Sequence, residues 1–191
     1  MSGARQWGLA LGAAALLGGG WLAISARSAA SVPVLTAGSL APDFRAATLD
    51  PSPGTRTLAD YRGHVVLLNL WATWCGPCEW EMPGIERLHR DFAPAGLKVV
   101  AVAVDDPGFE ERVRQFVARH GLTFEILSEG TGAIERIYQA RGLPATYLIG
   151  RDGIIRKRIA GASDWNSSAN RALVAQLLGV AVPRADSAAA P

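Results

Sequence analysis

The sequence predicts an α/β domain built on a central mixed sheet with helices on both faces. Three observations carry this reading. Val65–Trp71 and Lys98–Val104 are near-continuous apolar runs of strand length, the pattern of central strands covered on both sides. The segment between them reads as a helix, the connection that parallel neighbours need. Asp152-Gly153 is a hairpin turn, so the last strand pair is antiparallel.

The elements follow in order. A chain of 191 residues allows one domain with appendages. Gln6 to Ala26 is a run of 21 uncharged residues between Arg5 and Arg27. As a helix it would reach about 30 Å, enough to cross a hydrocarbon core. Two readings stand: an uncleaved membrane anchor, or a secretory signal with a cleavage site among the small residues at Ala26–Ala30. Residues 1–27 are therefore read as anchor or signal, 28–37 as linker, 38–180 as the folded domain and 181–191 as a flexible Ala/Pro/Ser-rich tail. Either N-terminal reading exports the domain from the cytoplasm. Apart from Arg5 and Arg27, basic and acidic side chains are equal in number, which argues against nucleic acid as a partner.

After the first apolar strand, a helix should run from about Gly76 to Phe92, burying Ile85, Leu88 and Phe92 on one face. Pro77 fits its first turn, whereas Pro83 removes a backbone hydrogen bond and predicts a kink. The next helix reads with Asp106 as N-cap, Pro107 as first residue, Glu110 and Glu111 in the first turn, Arg119 and His120 in the last, and Gly121 as stop. Its buried face would be Phe109, Val113, Phe116 and Val117. A short strand at Phe124–Leu127, a helix near Gly132–Arg141, a strand at Ala145–Ile149 and a hairpin partner at Ile154–Ile159 follow. The last helix, capped by Ser167 or Ser168, buries Leu173, Val174, Leu177 and Leu178.

The only cysteines, Cys75 and Cys78, fall where the first buried strand turns into a helix. Cys75 then sits beside unpaired helix N–H groups at the positive end of the helix dipole, which favours thiolate over thiol. Glu79 and Glu81 in the first turn oppose part of that shift, leaving an expected thiol pKa near about 7. Cys75 is placed to attack, and Cys78, one turn further in and more covered, to resolve the mixed disulfide. Gly76-Pro77 keeps the turn between them tight. A structural zinc site would need four ligands, and His64, His89 and His120 are scattered without an assigned role. A purely structural disulfide across so short a ring would constrain little of the unfolded chain. A Cu(I) site lacks a nearby His or Met to complete it. Redox exchange is the chemistry the spacing favours, and no metal or other cofactor is implied. Trp74 reads as a wall facing substrate, Trp71 and Trp80 as packing, and Arg156–Arg158 as a solvated strand face.

Leu70-Trp-Ala-Thr-Trp-Cys-Gly-Pro-Cys78 followed by Glu81-Met82-Pro83 resembles the thioredoxin superfamily and, within it, the membrane-anchored TlpA/ResA-like thiol:disulfide oxidoreductases. Gly38–Phe44 is similar to the opening segment of such domains, Arg141–Ile149 to their cis-proline strand, and Arg151–Gly153 to their hairpin. The resemblance implies a thioredoxin-like fold with a TlpA-like strand-helix insertion at residues 121–141. It also implies a cis Leu143–Pro144 bond beside the cysteines, the proline offering no N–H and leaving the backbone of Leu143 free to pair with a client peptide.

Two departures stand out. Where thioredoxins place a buried acid six residues before the first cysteine, this chain has Asn69, and the resemblance points to Glu81 as the nearby carboxylate. Its alternative reading is a solvated acid at a helix N-terminus. Ala145 stands where the cytochrome c maturation branch usually carries Glu. By resemblance, the activity is reduction of disulfides in periplasmic clients of cytochrome c or oxidase maturation, with electrons from a DsbD/CcdA-type membrane donor. Cys75, Cys78, Glu81 and Pro144 would be the catalytic set, and Trp74, Gly76, Pro77 and Leu143 the client-binding set. The peroxiredoxin-type alternative shares the Ala41–Phe44 segment but lacks the threonine-then-cysteine motif.

Overall fold

The computed structural model describes residues 34–49 and 54–183. The expected anchor or signal at 1–27, most of the linker and most of the tail lie outside the described residues. Among the described residues no helix is long and apolar enough to cross a membrane.

Seven strands form one sheet in the order β2-β1-β5-β4-β3-β6-β7. They are β1 (Arg45–Thr48), β2 (Thr55–Thr57), β3 (Val65–Trp71), β4 (Leu97–Ala103), β5 (Glu125–Ser128), β6 (Ala145–Ile149) and β7 (Ile155–Ala160). The helices are α1 (Gly76–Phe92), α2 (Glu110–His120), α3 (Ala133–Ile137) and α4 (Ser168–Leu178). β3 runs parallel to β4 and β4 to β5, while β6 is antiparallel to both β3 and β7. The sheet is thus mixed, as expected. Every residue of β3 is buried, so the centre of the sheet is covered on both faces.

The crossover from β3 to β4 is made by α1, whose limits match the sequence reading, with Ile85, Leu88 and Phe92 fully buried. The helix continues through Pro83. The insertion supplies β5, seated between β1 and β4, and the short α3. α4 is capped by Ser167, whose hydroxyl accepts the Asn170 N–H. It buries Val174 and Leu178, with Leu173 and Leu177 only partly covered.

Three expectations are corrected. β1 and β2 were absent from the sequence reading, because Arg-Ala-Ala-Thr and Thr-Arg-Thr carry no apolar alternation and are held by backbone pairing at the sheet edge. α2 begins at Glu110 rather than Pro107, because Gly108 adopts φ +95° and the Asp106 carbonyl accepts the Phe109 N–H in a turn. Phe109 is consequently exposed rather than buried, and Val113 and Phe116 carry the inner face. Arg156–Arg158 is not simply solvated: Lys157 donates to Asn170 Oδ1 at 2.9 Å, and Arg158 to the carbonyls of Leu35 at 3.0 Å and Gln139 at 2.6 Å.

Candidate functional site

β3 delivers the chain to the site. Past Trp71 the backbone stays paired, since the Val104 N–H donates to the Trp71 carbonyl, and the Cys75 N–H closes a turn onto Ala72. The turn is clamped from below by Asp105, a buried carboxylate just past the end of β4. Its Oδ1 accepts the Thr73 hydroxyl at 2.5 Å and its Oδ2 the Thr73 N–H at 3.0 Å. Sequence reasoning missed Asp105; an acid directly following a buried parallel strand was the available signal.

Cys75 is the N-cap of α1, and its Sγ accepts the Cys78 N–H at 3.2 Å. Pro77 lies within the first two helical positions, where its missing N–H costs no intrahelical bond. Cys75 and Cys78 form a disulfide with Cα atoms 5.2 Å apart. Cys75 is 6% accessible and Cys78 0%, so the expected order of exposure holds although the leading cysteine is less open than anticipated in this oxidised state. Gly76 and Pro77 are exposed beside it. Trp74 is 67% exposed, and Trp80, expected to pack, is 63% exposed. The correction follows from helical phase: Trp80 lies two residues from Cys78, which points it off the buried face.

Leu143–Pro144 is cis. Leu70 pairs with Ala145 across the β3–β6 ladder, so Pro144 falls opposite Trp71, at the strand end where the cysteine turn begins. Pro144 is buried and Leu143 partly so, and the Pro144 carbonyl accepts the Gly161 N–H at 2.8 Å.

Glu81 is 2% exposed, which rules against the solvated reading. It lies one turn beyond Cys78 on the same face of α1. Its Oε1 accepts from Asn69 Nδ2 at 2.8 Å; its Oε2 accepts from the Ser163 N–H at 3.1 Å and Trp165 Nε1 at 3.2 Å. Burial pushes this carboxyl above the ordinary range, and the three donors offset that only in part. Asn69 Nδ2 also donates to Thr146 Oγ1 at 2.9 Å, while Asn69 Oδ1 has no partner. The Ser163–Trp165 segment between β7 and α4 is a component that sequence reasoning missed, since it lies more than eighty residues from Glu81. Among the described residues no cluster of His, Cys, Asp or Glu is arranged to hold a metal ion.

Comparison with known proteins agrees with this architecture. The AhpC/TSA family model matches residues 37–158. The thiol-disulfide oxidoreductase ResA of Geobacillus thermodenitrificans is 40% identical over 124 residues, covering 65% of this chain and 69% of that protein. The thioredoxin-like protein YneN of Bacillus subtilis is 42% identical over 120 residues, covering 62% of this chain and 68% of its own length. A crystal structure described as a thiol:disulfide interchange protein DsbE from Chlorobium tepidum superposes with a TM-score of 0.69 at 30% identity, over 76% of this chain and 99% of that one. The chain belongs to the AhpC/TSA family, as a thioredoxin-like, ResA-like thiol-disulfide oxidoreductase.

Proposed function

We propose that this enzyme works in the reducing direction, on disulfides of exported client proteins, through Cys75 and Cys78. The observation that carries the exchange chemistry is the placement of the pair, Cys75 capping α1 at the positive end of its dipole and Cys78 fully buried one turn behind, while the direction rests on the Cys-Gly-Pro-Cys potential considered below. In the reduced protein the Cys75 thiolate attacks one sulfur of the client disulfide, expelling the other as a thiolate that takes up a proton. Cys78, deprotonated in turn, attacks Cys75 Sγ in the mixed disulfide. The second client thiol leaves and the Cys75–Cys78 bond closes, so two electrons have passed to the client. Glu81, buried beneath Cys78 with a raised pKa, is the proton acceptor within the site. Pro144 and Leu143 border the client's path, with Trp74, Gly76 and Pro77 on its other side.

A Cys-Gly-Pro-Cys pair near the thioredoxin potential of about −270 mV lies roughly 150 mV below an oxidant of the DsbA type, a gap of about 7 kcal/mol for two electrons. In an oxidising compartment such a pair turns over only if a membrane dithiol carrier, of DsbD/CcdA type, re-reduces it. The uncharged N-terminal segment supports a tether to the inner membrane with the domain on the periplasmic side. The relatives' names support thiol exchange, and the clients proposed are apocytochrome c or cytochrome oxidase maturation proteins. The test is the Cys75–Cys78 reduction potential together with a Cys78→Ser variant that traps mixed-disulfide partners. A potential near −120 mV reverses the direction, and a trap that captures no exported thiol protein defeats the client assignment.

A further inference from the structure

Beside the Cys75 turn, α2 presents Arg112, Phe116 and Arg119 at spacings of four and three, on one face of the helix. With Thr73 they line a cavity of about 190 Å³. That is below the roughly 300–1,000 Å³ of small-molecule sites and suits a single side chain. Phe116 fixes its floor, its ring tilted against the buried Trp71 with centroids 4.8 Å apart. Thr73 joins it directly to Trp74 and Cys75.

The two guanidiniums are exposed and, among the described residues, neither is in an ion pair, whereas Arg114 on the same helix pairs with Glu111 at 3.2 Å. Arg112 lies over the Phe109 ring at 5.0 Å, which orients its charge without neutralising it. Of the neighbouring carboxylates three have partners of their own, although the hydrogen bonds to Glu110 and Asp105 leave their charges in place. Glu79 is 3.1 Å from His120 Nε2, Glu110 accepts the Gly108 N–H at 3.2 Å, and Asp105 is taken up by Thr73. Asp106 is solvent-exposed.

We infer that this notch receives an acidic side chain of the client, so that the enzyme selects protein disulfides flanked by Asp or Glu. The inference rests on the client-disulfide reading above and adds the chemistry of the client to it. Planar guanidiniums match carboxylate geometry, and two arginines border one notch with neither in an ion pair among the described residues.

The test uses the reduced full chain and synthetic peptides carrying one disulfide, identical except for a flanking Asp-Glu, Ser-Asn or Lys-Lys pair. The expected ratio of kcat/KM for the acidic over the neutral peptide is about three- to tenfold at low salt, shrinking as ionic strength rises. R112E/R119E should invert that ratio and favour the Lys-flanked peptide, and R112Q/R119Q should bring it close to one. R62E/R151E, at the cavity by the far end of β3, should leave it within about twofold. A wild-type ratio near one, a ratio unmoved in R112E/R119E, or an equal change in R62E/R151E overturns the notch. Reduction of none of the peptides overturns the client-disulfide reading itself, and the notch with it.

Discussion

Replacing Glu81 separates the cost of its hydrogen bonds from the cost of its charge. In Glu81→Ala, the Ser163 N–H and Trp165 Nε1 lose their acceptor, while Asn69 Nδ2 keeps Thr146. The buried Trp165 donor at about 1–3 kcal/mol, with a smaller share from the half-buried Ser163 N–H, gives an expected loss of about 2–4 kcal/mol. Glu81→Gln is different. Its oxygen can take the Oε2 position and serve both Ser163 and Trp165. Its amide nitrogen then faces Asn69, whose Oδ1 has no partner and becomes the acceptor once that amide turns over. Thr146 can donate its hydroxyl to the same oxygen. The turned amide leaves Asn69 Nδ2 without an acceptor, so the expected cost at neutral pH is about 1–3 kcal/mol, below that of the alanine variant.

The pH dependence gives the sharper signature. Burial raises the Glu81 pKa in the folded protein. Over the interval between the ordinary carboxylate value and the raised one, the folded state holds a proton that the unfolded state has released. The contribution of Glu81 is therefore fully present below the ordinary value and is lost as pH rises through the folded one. Glu81→Gln removes that slope, so its stability relative to wild type should improve steadily with pH across the interval. Urea unfolding of the oxidised proteins between pH 4 and 8 measures this, followed by far-ultraviolet circular dichroism. Parallel curves for wild type and Glu81→Gln, or a glutamine variant as damaged as the alanine one, would refute the account.

The remaining expectations have opposite signs or different sites. At Glu86 burial acts upward, but the Thr123 N–H and hydroxyl, with Arg90, outweigh it and hold the pKa below the ordinary range. Its contribution is present above the ordinary carboxylate value and is lost as pH falls through the lowered one. Glu86→Gln should thus cost about 1–2 kcal/mol at pH 7 and progressively less in acid, by the same unfolding series. Gly130→Ala should cost more than about 2 kcal/mol, because a Cβ there would meet the Asp105 carbonyl oxygen at 2.4 Å and Pro107 at 2.9 Å; an unchanged thermal midpoint would contradict it. Asp105→Asn keeps an acceptor for Thr73 while removing a negative charge beneath the cysteine turn. The Cys75 thiol of the reduced variant should titrate lower by up to about one unit, read from alkylation rate against pH, and an unmoved midpoint would show that Asp105 acts through geometry alone.

Legibility in the sequence followed the physics of each element. β3, β4, β6 and α1 were readable because their signals are local: unbroken apolar runs, an antiparallel hairpin at Asp152-Gly153, and Gly-Pro after a cysteine cap. The edge strand β2 and its neighbour β1 were not, since what holds them is inter-strand backbone pairing to residues that no periodicity names. The start of α2 was misread because Asp-Pro serves equally as a helix cap and as the opening of a turn, and the glycine at 108 decides for the turn. Within the site, the cysteines were legible from a short motif and the cis proline from the resemblance of Arg141–Ile149 to the family's proline strand. The burial of Glu81 was legible in principle, because Cys78, Met82, Ile85 and Leu88 set the phase of the inner face and residue 81 falls inside it. Its partners Ser163 and Trp165 were not, because the β7–α4 segment reaches α1 only through the assembled fold.

That last contact changes what the buried acid can do. A carboxylate at position 69 would hang from the central strand, where its neighbours in register are Ala101 on β4 and Thr146 on β6. With Asn at 69 and Glu at 81, the acid sits on the helix that carries both cysteines, and its second oxygen holds the Ser163–Trp165 segment, with Trp165 packed over Gly84. As an anion, Glu81 satisfies three donors and leaves Asn69 Oδ1 idle. Protonated on Oε1, it becomes a donor that can no longer accept from Asn69 Nδ2, and the idle Oδ1, brought round by a turn of the amide, is the acceptor it needs. Asn69 can thus answer a protonated Glu81 only by turning Nδ2 away from Thr146 toward the side where Oδ1 finds no partner among the described residues. A strand aspartate would meet the same change only by titrating itself, because two adjacent carboxylates cannot both ionise freely. The residue that looked like a missing acid in the sequence is, in the fold, a hydrogen-bond partner of the acid one turn behind Cys78.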